Sequence, residues 1–182
     1  NAWEIDKPVG TTNQGQSCNP NADVPGDCGD LAMVTDNGGG GAWDNDVDQG
    51  STLLTSPAFD ATQYTNPVIS YYRWFYNGGT TNGQPDDSMK IYLTDGLLTV
   101  PLELLGPSAS SSQWSQHSFR IGDYLTPGSQ MQLIIDIGDP GPVFNIVEGG
   151  FDQFSIDEFV SVGELSADLI SLTITQNPFM DY

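Results

Sequence analysis

Residues Pro67–Tyr76 read PVISYYRWFY. Alternate side chains of a strand point to opposite faces, and here both faces would be β-branched or aromatic. Such a run belongs to a central strand covered on two sides. Downstream, Ser88–Thr94 alternates cleanly: Met89, Ile91 and Leu93 face one way, Lys90 and Tyr92 the other. Asp95-Gly96 is a turn signal leading to a strand at Val100–Leu105. Further strands are predicted at Trp114–Ile121, Gln130–Ile137 (Met131, Leu133, Ile135 and Ile137 together) and Phe151–Val162, the last opened by Gly149-Gly150. Upstream, Ala2–Ile5, Leu31–Thr35 and Ser51–Thr55 are short strands, with Trp3 inward. Lys7–Asp30 is polar and turn-rich and reads as a long loop. A final apolar segment, Leu169–Thr175, follows a polar break near Gly163. About nine or ten short strands and no helix-period run predict an all-β fold, an antiparallel two-sheet β-sandwich of jelly-roll type. Residues 1–163 form the domain and 164–182 a linker and tail.

The chain has 182 residues, enough for one domain with a real core. It carries 4 Lys+Arg against 24 Asp+Glu, a net charge of −20. Nucleic acid and anionic membrane surfaces would repel it, whereas cations would not. No apolar stretch approaches the roughly 20 residues that span a bilayer. The chain begins Asn1-Ala2-Trp3 without Met, as expected of a processed or excised domain.

Gly38–Pro57, GGGGAWDNDVDQGSTLLTSP, sets Asp44, Asp46 and Asp48 at every second position. Calcium takes six to eight oxygens, and carboxylates and carbonyls in a tight loop supply them. Val47 can pin the loop to a core. The pattern is not an EF-hand, and a plain solvated acidic turn stays open beside the calcium reading. Cys18 and Cys28 lie close together in a polar loop, which suits a local disulfide and an oxidising compartment; two thiols are the alternative. One His and two Cys do not make a tetrahedral zinc set.

Several phrases then line up in order: Trp3-Glu4, LAMVTDN from Leu31, DNDVDQGSTLLTSPAFD from Asp44, NPVISYYRWFYN from Asn66, DDSMKIYLTDG from Asp86, and GGFDQFSIDEFVSV from Gly149. Together they resemble the MAM-like and cleaved-adhesin jelly-roll modules, also called choice-of-anchor J, over roughly Trp3 to Val162. That resemblance implies a calcium-stabilised, non-catalytic sandwich placed behind secreted peptidases, notably zinc carboxypeptidases, or on other surface proteins. It implies Asp44, Asp46 and Asp48 as calcium ligands, with Asp157 of the SIDEF phrase and Glu4 joining them. The motif usually reads Ile-Asp-Asp; here Glu158 stands second. The tail LTITQNPFMDY is similar to the opening of a type IX secretion sorting domain, with Asn177-Pro178-Phe179 kept and Gln176 in place of the first Pro. This implies a secreted or cell-surface location.

Catalytic patterns are missing from the sequence. His117 is the single histidine, and neither G-x-S-x-G nor H-E-x-x-H occurs. The acids do not form the E-x-D-x-E pattern of jelly-roll glucanases, and the R-T-E-L-R phrase of alginate lyases is absent. Asp86-Asp87 suits a second cation or a strand cap. Of the four tryptophans, Trp43 is the exposed candidate for stacking on a sugar ring, while Trp3, Trp74 and Trp114 read as core. The expected function is a monomeric, calcium-binding accessory or adhesion module that serves a neighbouring catalytic domain or a protein or glycan ligand. The alternative is a carbohydrate-binding module; a jelly-roll polysaccharide-active enzyme comes third.

Overall fold

In the computed structural model, which describes residues 3–35, 37–38, 41–44, 46–79, 84–141 and 145–160, eleven strands follow in chain order. They are β1 (Glu4–Asp6), β2 (Thr12–Asn13), β3 (Gln16–Ser17), β4 (Ala32–Val34), β5 (Gly50–Thr55), β6 (Pro67–Gly78), β7 (Ser88–Thr94), β8 (Thr99–Leu105), β9 (Ser111–Arg120), β10 (Gln132–Asp139) and β11 (Ile146–Glu158). One sheet runs β1-β4-β11-β6-β9 and the other β5-β10-β7-β8, all pairs antiparallel. Counting from β4, the first, eighth, third and sixth strands share one sheet, and the second, seventh, fourth and fifth share the other. That is jelly-roll winding, as the strand pattern predicts.

The core lies between the sheets. β6 contributes Ile69, Tyr71 and Phe75; β7 contributes Met89, Ile91 and Leu93; β10 contributes Leu133, Ile135 and Ile137, all of them buried. Each such aliphatic or aromatic group stabilises by about 1.5–3 kcal/mol when fully removed from water. The alternation in β7 is the predicted one, with Lys90 and Tyr92 on the other face. β6 sits between β11 and β9. Its second face is covered at one end: Trp74 is fully buried against Ala32, Val34 and Trp114, and Tyr76 packs on Cys18, Ala42 and Ile146.

That cover is the segment expected to be a plain loop. It contains a hairpin, β2 with β3, turning through Gln14 and Gly15, both at positive φ (50° and 79°). Asparagines hold it: Asn19 Oδ1 accepts from Thr11 Oγ1 at 3.1 Å, Asn21 Oδ1 from Gly10 N at 2.8 Å, and Asn37 Oδ1 from Val9 N at 2.9 Å. The disulfide expectation is corrected here, since no bond joins Cys18 to Cys28. Cys18 is drawn under the sheet into an apolar cluster, while Cys28 stays on the surface.

Gly149-Gly150 also differs from expectation. The pair lies inside β11, which begins at Ile146. A Cβ on Gly149 would fall 2.7 Å from Ile137 Cδ1, and one on Gly150 would overlap Trp74 Nε1. Close packing on both faces, not a turn, requires glycine there. The predicted segment Leu169–Thr175, the break at Gly163 and the tail phrase lie outside the described residues.

Candidate functional site

The outer face of the five-stranded sheet is where loop, sheet and side-chain chemistry meet. Trp114 is half-buried at the start of β9, in an edge-on contact with Trp74 (6.4 Å between ring centroids, 83° between planes). Its Nε1 donates to the Ala22 carbonyl at 2.9 Å, which ties the covering segment to the strand. Between them opens a cleft of about 550 Å³ lined by Ser17, Asn19, Pro20, Asn21, Ala22, Asp23, Pro25, Gln113 and Trp114. An aromatic wall with amides and a hydroxyl around it has the makings of a neutral, hydroxyl-rich ligand site. Reading Trp114 as core missed this.

Asp23 belongs to both that cleft and an acidic group. Carboxylate oxygens of Asp23, Asp27 and Asp152 lie within 4.8 Å of one another. Asp152 stands on β11 opposite Tyr72, with the other two in the covering segment. Burial first, then a hydrogen bond to Asp23, push Asp152 up to about 7. Three carboxylates so close can hold a hard cation, or share a proton without one.

Trp43 is exposed, at 61%. A closed turn presents it: Asp44 N donates to the Gly41 carbonyl at 3.0 Å, and Gly41 N donates to Asp44 Oδ2 at 2.7 Å. Ala42, beside it, packs on Cys18, whose neighbours Ser17 and Asn19 line the cleft.

The expected calcium ligands do not converge on one point. Asp44 is engaged in its own turn, Asp46 is buried and accepts from Val147 N at 3.3 Å, and Asp48 is exposed. Val47 is buried and its backbone N–H donates to the Val147 carbonyl, so it does pin the loop as expected. Asp157 accepts from Ser155 Oγ at 3.0 Å near the far end of β11, ten residues from Val147 and so about 30 Å from Asp46. Glu4 is exposed on edge strand β1, level with Val34 and Gly150, about 20 Å along the sheet from Asp157. One ion cannot bridge these residues, so the donor set implied by the resemblance does not fit a single site.

Between the sheets, Glu103 makes four contacts with three residues. It accepts from Tyr71 Oη (2.8 Å) and Arg73 Nε (3.3 Å), pairs with Arg73 Nη2, and lies 3.3 Å from His117 Nδ1. Burial, then the Glu103 charge, push the Tyr71 phenol up. Ser115 Oγ lies 2.9 Å from His117 Nε2, which completes a Ser-His-Glu sequence. In hydrolases of the G-x-S-x-G type the serine stands on a sharp turn, and a hydrolytic serine in general needs donors beside it that take the oxyanion. Ser115 instead stands in the β6–β9 ladder opposite Arg73 and reaches the Arg73 carbonyl at 3.2 Å. The arrangement is a satisfied polar network inside the sandwich.

No protein-family model matches the chain, and no curated protein matches it. Among solved structures it is similar to TmCBM61 in complex with β-1,4-galactotriose, with a TM-score of 0.37 and 11% identity over 71% of this chain and 72% of that one. It is also similar to a family 16 carbohydrate-binding module, with a TM-score of 0.37 and 14% identity over 85% of this chain and 98% of that one. Both likenesses are too distant to carry an argument about function.

Proposed function

We propose that this chain is a non-catalytic, glycan-binding β-sandwich module of a secreted or cell-surface protein, with a sugar chain lying along the Trp114 cleft. The observation that carries the reading is the cleft itself. The indole wall gives a sugar ring an apolar surface to stack on, and Gln113, Asn21 and Ser17 supply donors and acceptors for its hydroxyls. With a net charge of −20, the preferred glycan is neutral rather than anionic. Ser115 in its ladder supports a binding role rather than hydrolysis. The resemblance to accessory modules of exported peptidases supports a place beside a catalytic domain, a role compatible with glycan binding.

The test is affinity electrophoresis followed by calorimetry on soluble β-1,4-galactan, β-glucan, xylan and polygalacturonate. A neutral polysaccharide should bind and the anionic one should not. Trp114→Ala should weaken binding at least about tenfold, a stacked ring being worth about 0.5–1.5 kcal/mol beyond its buried area. Because Trp114 also packs on Trp74, the exposed Gln113→Ala is the second variant, and it should weaken binding with an unchanged melting temperature. A blank panel, or full affinity in both variants, removes the reading.

A further inference from the structure

Asp87 and Asp139 are only 5% and 2% exposed. A carboxylate that far from water needs a cation or several N–H donors. Asn145, 2% exposed, lies between the acids: its Nδ2 donates to Asp86 Oδ1 at 2.7 Å and to Asp87 Oδ2 at 2.8 Å, and its backbone N–H faces Asp139. Gly141 N reaches Asp139 Oδ1 at 3.3 Å. Among the described residues, the ion pairs involve Asp30, Glu103 and Asp123, and none reaches these acids. Burial, then the Asp86 charge, push Asp87 up; burial, then the charges of Asp87 and Asp48, push Asp139 up.

A second observation is independent of the acids. Asn145 Oδ1 is buried and has no donor. Asn77, 3% exposed, gives its Nδ2 to the Asp87 carbonyl at 3.1 Å, and its Oδ1 is likewise buried without a donor. Buried acceptors are almost always satisfied, so two orphan amide oxygens in the same acidic corner call for an explanation. A bound cation accounts for both the orphan oxygens and the unpaired charge.

We infer that Asp87, Asp139, Asn77 and Asn145 line a calcium site at one end of the sandwich. The end of β6 supplies Asn77, the residue before β7 supplies Asp87, the end of β10 supplies Asp139 and the residue before β11 supplies Asn145. The ion joins the two sheets, since β6 and β11 belong to one and β7 and β10 to the other. An all-oxygen set of carboxylates and amides suits calcium; magnesium demands a tighter octahedron, and zinc favours the His and Cys that are missing here. Asp48 adds negative charge nearby, so the acidic loop steers the ion without supplying its main ligands. The site stands independently of the glycan reading.

The test is hydrogen exchange on the whole, chelator-stripped chain, with and without about millimolar calcium. Slower exchange is expected across 86–90, 136–139 and 145–148. Asp139→Asn and Asp87→Asn should weaken calcium binding by more than the roughly tenfold that loss of an outer-shell partner costs. Asp123→Asn, on the surface beside Arg120, should leave binding unchanged. If calcium slows nothing, or slows only 23–27 and 150–154, the site is refuted, and in the second case the ion belongs to Asp23, Asp27 and Asp152. Should both ligand variants fail to fold, the exchange map of the parent decides alone.

Discussion

Glu103, midway along the sandwich, and Asp139, at its end, are both carboxylates taken out of water, and their surroundings are opposite. Glu103 has Arg73, His117 and Tyr71 around it. Asp139 has two backbone N–H groups and the charges of Asp87 and Asp48. A chain with 4 Lys+Arg against 24 Asp+Glu cannot give every buried acid a basic partner. It places Arg73 in the interior, where a solvent ion has no route. At the end of the sandwich, Asp87 and Asp139 are buried without a basic partner among the described residues, and the proposed cation would come from the medium. Stability should therefore depend on composition of the buffer at one place and on covalent sequence at the other.

The largest effect should come from removing the interior cation. Arg73→Met leaves Glu103 buried without its main partner and should cost about 3–5 kcal/mol in urea denaturation. Adding Glu103→Gln to that variant should recover part of the loss. A cost under about 1 kcal/mol would mean that the two buried acids are not different in kind.

Next in size is a change of sign at the end of the sandwich. In chelator, Asp139→Asn removes a buried like charge and should raise the melting temperature. In calcium the same substitution should lower it, because the parent gains about 2.7 kcal/mol at a hundredfold excess over the dissociation constant. For a domain of this size that corresponds to roughly 5–10 °C. A substitution with the same sign in both buffers counts against the ion.

The smallest effect is in pH. Asp152 stands near 7 in the folded chain against 3.8 for the free side chain, held up first by burial. Its contribution is therefore fully present below about pH 4 and is lost as pH rises through 7. His117 has the opposite sign: burial, then the Arg73 charge, lower it, so its contribution is present above 6.5 and fades on acidification. In chelator, Asp152→Asn should flatten the alkaline fall of the melting temperature, and His117→Asn the acid one. Profiles that superimpose on the parent's would leave neither group linked to folding.

The strands could be read from the sequence because alternation and β-branching act over adjacent residues. Met89, Ile91 and Leu93 needed no knowledge of their partners, and the β6 run announced a strand covered on both faces, which holds at its Trp74–Tyr76 end. What depended on distant residues was not legible. Gly149-Gly150 looks like punctuation until Trp74 and Ile137 are seen pressing on it. Asp44, Asp46 and Asp48 are close in sequence, yet in an irregular segment alternate spacing does not aim side chains together. Asn77, Asp87, Asp139 and Asn145 are spread over 69 positions and meet because four strands end at one place. Cys18 is ten positions from Cys28, but burial under Tyr76 outweighed proximity along the chain. The Trp114 cleft was not legible because most of its wall is the irregular stretch from Ser17 to Pro25, which follows a hairpin signalled only by Gln14-Gly15 and reaches Trp114 from far away in sequence.

The edge-on pair of Trp74 and Trp114 has an optical consequence. Two indoles 6.4 Å apart and nearly perpendicular, one fully buried and one tethered to Ala22, are fixed in a chiral arrangement. Their electronic transitions should couple and produce a paired band of opposite signs in circular dichroism. Lifting the covering segment at Ala22 would free Trp114 and extinguish that signal while the jelly roll persists. The molecule thus carries its own reporter for the seating of the segment that walls its cleft, readable without any label.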